Sequence, residues 1–282
     1  MYANDAGLPK EIPMYLQKTT DLCRSFGIKD FIVRELSEPS TLLLNRNGKM
    51  LRPMLVFLSA RAFDEKLDNY IDMAASIELL HISSLVHDDI IDKGETRRGG
   101  SAVNKQYGNE MAILAGDALI SKSIHLSSRY GEKVMKFISS ISIEMCAGEA
   151  LDFTFQREKK TPDVNDYIKI ATLKSASLIG AAGSAAPIYL EDDAAEKMQD
   201  FGRNLGIAFQ IRDDLDDFSE GEEKEHMPNI VSSLIAHKSM SEKEAVDEAG
   251  KMNSKYVDLA LDSLLGINGK YLAMCAEGIR VM

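Results

Sequence analysis

Apolar residues recur at intervals of three and four along most of the chain, the period of a helix that buries one face or its whole circumference. Between 71 and 91 they fall at Ile71, Ala74, Ala75, Leu79, Ile82, Val86 and Ile90. Ser241 with Glu244 has the form of a capping box for a helix ending near Gly266. Thr161-Pro162 reads as an N-cap with proline in the first turn of a helix running toward Gly183. The same periodicity predicts helices over 12–26, 29–44, 50–63, 110–130, 132–156, 192–218 and 270–280. No convincing alternation marks a strand. About ten helices and no sheet define an all-α fold.

No linker rich in Pro, Gly or Ser divides the chain, so 1–282 is read as a single domain. The polar stretch 219–226 is predicted to be a surface loop. The longest apolar region, 178–190, is broken by Gly180, Gly183, Ser184 and Pro187, which suits a buried helix with small residues and not a membrane span. Forty-five per cent of the 282 residues are apolar, enough for a large core and against disorder. The net charge of −11 argues against a nucleic-acid partner and means that any anion site needs a local cluster of Lys and Arg. Three scattered cysteines without a CxxC pair, and an N-terminal stretch lacking a secretory pattern, predict a reducing, cytoplasmic setting and no structural zinc.

Two acidic runs change the picture. Asp88-Asp89-Ile90-Ile91-Asp92 and Asp213-Asp214-Leu215-Asp216-Asp217 both fit DDxxD, each at the end of an apolar helical run. Asp88 and Asp92, like Asp213 and Asp217, are i and i+4 and share a helix face. Carboxylates so placed repel one another, and the C-terminal helix dipole worsens this. Mg²⁺ relieves both: it takes oxygen ligands and is bound through one or two carboxylates plus substrate phosphates. Basic residues accompany the runs. Arg97-Arg98-Gly99-Gly100 joins an arginine pair to glycines that permit close backbone approach. Lys49 and Arg52 are i and i+3, so both can address one anion. His81 lies two helical turns before Asp88. Lys174 interrupts a small-residue helix, where burial demands a partner.

In order along the chain stand GKMLRP, HISSLVHDDIIDKGETRRGG, GDAL, LKSA and FQIRDD. This ordered set resembles the trans-prenyltransferases, the isoprenyl (polyprenyl) diphosphate synthases. The resemblance implies an isoprenoid synthase fold, a barrel of about ten helices around a deep central cavity. It implies condensation of isopentenyl diphosphate with an allylic diphosphate, two or three Mg²⁺ ions per site, and a homodimer. By position, Asp88, Asp89, Asp92, Asp213, Asp214 and Asp217 resemble the metal-binding aspartates. Lys49, Arg52, His81 and Arg98 resemble the isopentenyl diphosphate clamp, and Arg97, Lys174, Ser175 and Gln210 the allylic side. Ser175 replaces the usual Thr. Phe209 resembles the aromatic residue beside the reacting double bonds. Met227 stands where the family has a diphosphate-binding lysine, with Lys224 or Lys238 as substitutes.

The implied chemistry is ionisation, condensation and elimination, with Asp88, Asp92, Arg97, Lys174 and Asp213 central. Ser83 and Ser84 occupy the positions where a bulky aromatic stops chain growth in the family. Small residues there also suit close helix packing. With no plug, and about 5.4 Å of depth per helical turn, the expected product lies between about C20 and C40. Met111, Met145 or Phe137 is a candidate deeper floor; a short-chain farnesyl or geranylgeranyl synthase is the alternative. Three other classes compete. A di-iron bundle would use Glu78–His81 and Glu223–His226 but leaves both DDxxD runs unexplained. A terpene cyclase or head-to-head synthase has no use for the Lys49/Arg52/His81 set. A weakly active subunit of a heteromeric synthase is favoured only by Met227.

Overall fold

The computed structural model describes residues 7–26, 28–46, 48–220 and 228–281. Helices α1 (Ile12–Arg24), α2 (Ile28–Phe31), α3 (Arg34–Thr41) and α4 (Leu51–Ala62) lead to the long α5 (Ile71–Ile91). After a hairpin of β1 (Thr96–Arg97) and β2 (Gly100–Ser101) come α6 (Val103–Tyr107), α7 (Asn109–Ser127) and α8 (Glu132–Glu158). The second half comprises α9 (Val164–Ala171), α10 (Ser177–Gly183), α11 (Ala185–Leu190), α12 (Ala195–Glu220), α13 (Ile230–Lys238), α14 (Glu242–Ser263) and α15 (Lys270–Glu277). Every predicted helix is present, and the architecture is all-α.

The differences have local causes. The stretch 29–44 divides because Ile32 takes a left-handed backbone, φ 68°. The run 178–190 divides at Ser184, between α10 and α11. Thr161-Pro162 does not cap α9: the cap is Asp163, whose carboxylate accepts the Asp166 N–H at 2.9 Å. The Ser241/Glu244 capping box forms as expected, with both reciprocal bonds. Ser219 ends within α12, and 221–227 lie outside the described residues. The hairpin is a two-residue ladder, too short for an alternation to betray it.

α5 is buried on nearly all sides and packs against α1, α4 and α7. α12 packs against α10 and α14. Between α9 and α10 the backbone widens into a π-helical turn, Thr172–Ala176, which lies against α8. Such turns occur often at functional sites. Gly148 on α8 allows this contact, since a Cβ there would stand 2.3 Å from Lys174 N. Apolar clusters flank α5 on both sides, and a third fills the space between α9, α12, α13 and α14.

Candidate active site

The two acidic runs face one cavity of about 310 Å³. Asp88, Asp92, Arg97, Lys174, Asp214 and Asp217 are among its walls. A second, apolar cavity of about 820 Å³ lies beside it, and Asp88, Lys174 and Ser175 line both. The polar chamber thus adjoins the apolar one at these three residues. Leu80, Ser83, Ser84, Ile120, Met145 and Phe153 line the apolar chamber. Ser83 and Ser84 donate to their own helix, to Leu80 O at 2.7 Å and His81 O at 2.8 Å, so their hydroxyls present no unsatisfied donor there. Of the candidate floor residues, Met145 lines the chamber, whereas Met111 and Phe137 do not.

The members of the first run take different roles. Burial pushes the Asp88 carboxyl up to about 7, and neighbouring Glu149 and Asp92 add to the shift while Lys174 opposes it. Asp92 closes α5, and its Oδ1 is buried with no hydrogen-bond partner. Asp89 lines neither cavity. It is fully buried and holds Arg97 through both Nε and Nη2. In the second run, burial raises Asp214 to about 6, although it accepts hydrogen bonds from Gln210 Nε2 and Ile230 N at 2.9 Å. Asp217 lines the polar cavity, while Asp213 lies 3.8 Å from Lys49 Nζ.

Lys174 meets Glu149 Oε2 at 2.7 Å and Asp152 Oδ2 at 2.5 Å, both on α8. Its pKa is raised: the neighbouring carboxylates Asp152, Asp88 and Glu149 outweigh the burial that alone would lower it. Ser175 donates to Gln210 Oε1 at 2.9 Å, so α12 and the π turn are tied across the cavity. Sequence reasoning missed Glu149, Asp152, Tyr167 and Asn229. One face of α8 carries both acids, a helical spacing of three, which was a usable signal. Asn229 caps α13, an unpredicted helix, by accepting from Val231 N at 2.8 Å. Asn before an apolar run was the available cue.

Arg52 and His81 line the apolar chamber, and Glu78 sits behind them. Burial lowers Arg52 to about 10 and holds His81 well below the usual imidazole range, helped by Arg52 and Arg98. Arg98 reaches Glu78 Oε1 at 3.4 Å and Leu43 O at 3.3 Å. Glu78 is thereby committed to arginines, and Glu223 and His226 lie outside the described residues, as do Lys224 and Met227. Lys49 and Arg52 do not share a helix face, because Met50 between them is left-handed, φ 50°, and α4 starts at Leu51. Lys49 points instead toward α12, 5.6 Å from the Phe209 ring centre. Lys238 ends α13.

Among the described residues no group of three or more His, Cys, Asp or Glu is gathered tightly enough to cage a metal ion. Mg²⁺ relies on a few carboxylates and on phosphate oxygens and does not need a protein cage. The buried, unpartnered Asp92 Oδ1 and the desolvated Asp88 carboxyl are oxygen donors suited to it.

A sequence profile described as polyprenyl synthetase matches residues 33–241. A geranylgeranyl diphosphate synthase of Methanosarcina mazei is 35% identical over 197 residues, 67% of this chain and 60% of that protein. A nonaprenyl diphosphate synthase of Mycobacterium tuberculosis is 34% identical over 190 residues, 66% of this chain and 56% of that protein. The matches therefore span little more than half the length of these relatives. A geranylgeranyl pyrophosphate synthetase from the archaeon Geoglobus acetivorans superposes with a TM-score of 0.86 at 26% identity, covering 97% of this chain and 100% of that one.

Proposed function

The chain belongs to the polyprenyl synthetase family, and on that premise we propose that it elongates prenyl chains by head-to-tail condensation of isopentenyl diphosphate with an allylic diphosphate. The observation that carries this reading is the junction of a polar and an apolar chamber at Asp88, Lys174 and Ser175. A molecule with a diphosphate head and a hydrocarbon tail would lie across that junction with its head in the polar chamber and its tail in the apolar one.

Asp88 and Asp92 from one wall, with Asp214 and Asp217 from the other, would hold Mg²⁺. The ion supplies Lewis-acid stabilisation of charge on the leaving diphosphate. Arg97 and Lys174 add fixed positive charge at the same place, so the C–O bond breaks toward a preorganised cluster of cations. Asp89 contributes by keeping Arg97 in place. Lys49, Arg52, His81 and Arg98 hold isopentenyl diphosphate, whose double bond attacks the allylic cation. The proton released afterward passes to the departing diphosphate. The apolar walls exclude water, which would otherwise quench the cation.

Ser83 and Ser84 leave the upper part of the chamber free for a tail. We therefore place the product above C15, at about C20 to C40, one isoprene unit per helical turn of about 5.4 Å. Near-equal identity to relatives named for geranylgeranyl and for nonaprenyl products leaves that choice to the chamber itself. Ile113 and Leu114 on α7 and Ile143 on α8 are exposed apolar residues suited to a second copy of the chain. Among the described residues no helix is long and apolar enough to cross a membrane.

The test is incubation of the purified chain with Mg²⁺, labelled isopentenyl diphosphate and allylic primers of several lengths, followed by product sizing. Labelled products longer than the primer support elongation. Absence of label from every product rejects it, and product formed from the primer alone would identify a cyclase.

A further inference from the structure

We propose that Arg46 is a positioning residue for isopentenyl diphosphate binding, acting through Arg98. The inference rests on the elongation reading above. Arg46 is half-buried in the loop before α4. Its Nη1 donates to Arg97 O at 2.7 Å on β1 and to Ser101 O at 2.9 Å on β2. One guanidinium therefore straps both arms of the hairpin that presents Arg97 and Arg98. Gly100 leaves room for it, because a Cβ there would stand 2.8 Å from Arg46 Cζ.

The hairpin needs such a strap. Its ladder is two residues long on each side, continued by one bond from Ala102 N to Glu95 O at 3.0 Å, and a ribbon this short is marginal in water without further support. Its loop, Arg98-Gly99, has positive φ at both positions, 51° and 74°. A left-handed backbone is unfavourable for arginine and persists only where the surroundings enforce it. Asn104 secures the approach to the hairpin, donating to Asp89 O at 2.8 Å and Gly94 O at 3.1 Å, both before β1.

The two arginines depend on this strap unequally. The Arg97 side chain has its own anchor, the buried Asp89 carboxylate at 2.6 Å. Among the described residues the hydrogen bonds of Arg98 are long, 3.3 Å to Leu43 O and 3.4 Å to Glu78 Oε1, and its guanidinium lies over Gly48 with no short ionic anchor. Loosening the hairpin should therefore release Arg98 and spare Arg97. That predicts weaker isopentenyl diphosphate binding with little change on the allylic side.

Steady-state kinetics on the full chain, varying each substrate in turn, tests this. Incorporation by the unaltered chain is measured first; failure there rejects the elongation reading itself. With activity in hand, Arg46→Gln should raise KM for isopentenyl diphosphate about tenfold or more and leave KM for the allylic diphosphate within about twofold. Arg46→Lys keeps donors in reach of the two carbonyls and should restore most of the loss. Gly100→Ala pushes the guanidinium off the hairpin and should reproduce the same split, which keeps the test open should Arg46→Gln fail to fold. An unchanged KM for isopentenyl diphosphate, or an equal rise in both KM values, overturns the proposal.

Discussion

Asp89 and Arg97 form a closed pair: the carboxylate is fully buried, and the guanidinium meets it at 2.6 Å with a second contact through Nε. The middle of the first acidic run is thus spent inside the protein, while Asp88 and Asp92 line the cavity. Adjacent aspartates with the same chemistry are separated by helix rotation alone. Removing Asp89 takes from the half-buried Arg97 its direct carboxylate contact and leaves it only the through-space attraction of Asp88 and Asp92. Asp89→Ala should cost about 3 kcal/mol of stability, the scale for breaking a buried ion pair, read from denaturant unfolding.

Asp88→Asn should behave in the opposite way. The native site disfavours the Asp88 carboxylate, so an uncharged isostere should leave stability unchanged or slightly raised at pH 8. Activity should fall by several powers of ten, since the lost group acts on the developing charge. A large loss of stability in unfolding experiments would contradict this assignment.

The same shift sets a pH dependence. Asp88 and Asp214 have folded pKa values raised from 3.8 to about 7 and about 6. Between those limits the folded chain binds more protons than the unfolded one, so their contribution to stability is present at low pH and is lost as pH rises through the folded values. The slope is at most about 1.4 kcal/mol per pH unit for each carboxyl. Metal-free unfolding between pH 5 and 8 should show a shallower decline for Asp88→Asn than for the unaltered chain; parallel curves would rule this origin out.

Ser83→Phe projects an aromatic ring into the apolar chamber below Asp88. Products should become shorter than those of the unaltered chain, with initial incorporation of isopentenyl diphosphate retained. Unchanged product length would show that the tail does not run past Ser83.

Chelation of Mg²⁺ should abolish turnover and leave the far-ultraviolet circular dichroism unchanged. The core clusters are apolar throughout, and no metal cage ties the described elements together. Loss of helical signal on adding EDTA would show that the ion is structural.

Local sequence carried most of the fold. Helical periodicity reports which residues must be buried together, and a helix satisfies its own backbone, so the ranges of α5, α8 and α14 follow from spacing and caps. The DDxxD spacing likewise anticipated Asp88 and Asp92 on one cavity wall, since i and i+4 positions share a helix face, whereas in the second run Asp214 and Asp217 line the cavity and Asp213 does not. Which carboxylate lines the cavity was not legible. Asp89 and Asp88 differ only in what stands opposite, and Arg97 comes from a hairpin with no strand signature. From their i and i+3 spacing Lys49 and Arg52 read as able to address one anion, but the left-handed turn at Met50, which has no marker in the residue type, sends Lys49 toward α12. Glu149 and Asp152 gain their meaning from Lys174, more than twenty positions away, across a contact that α8 makes with the π turn. Periodicity is a property of neighbours in the chain; pairing of charges is a property of neighbours in space, and it is settled when the helices pack.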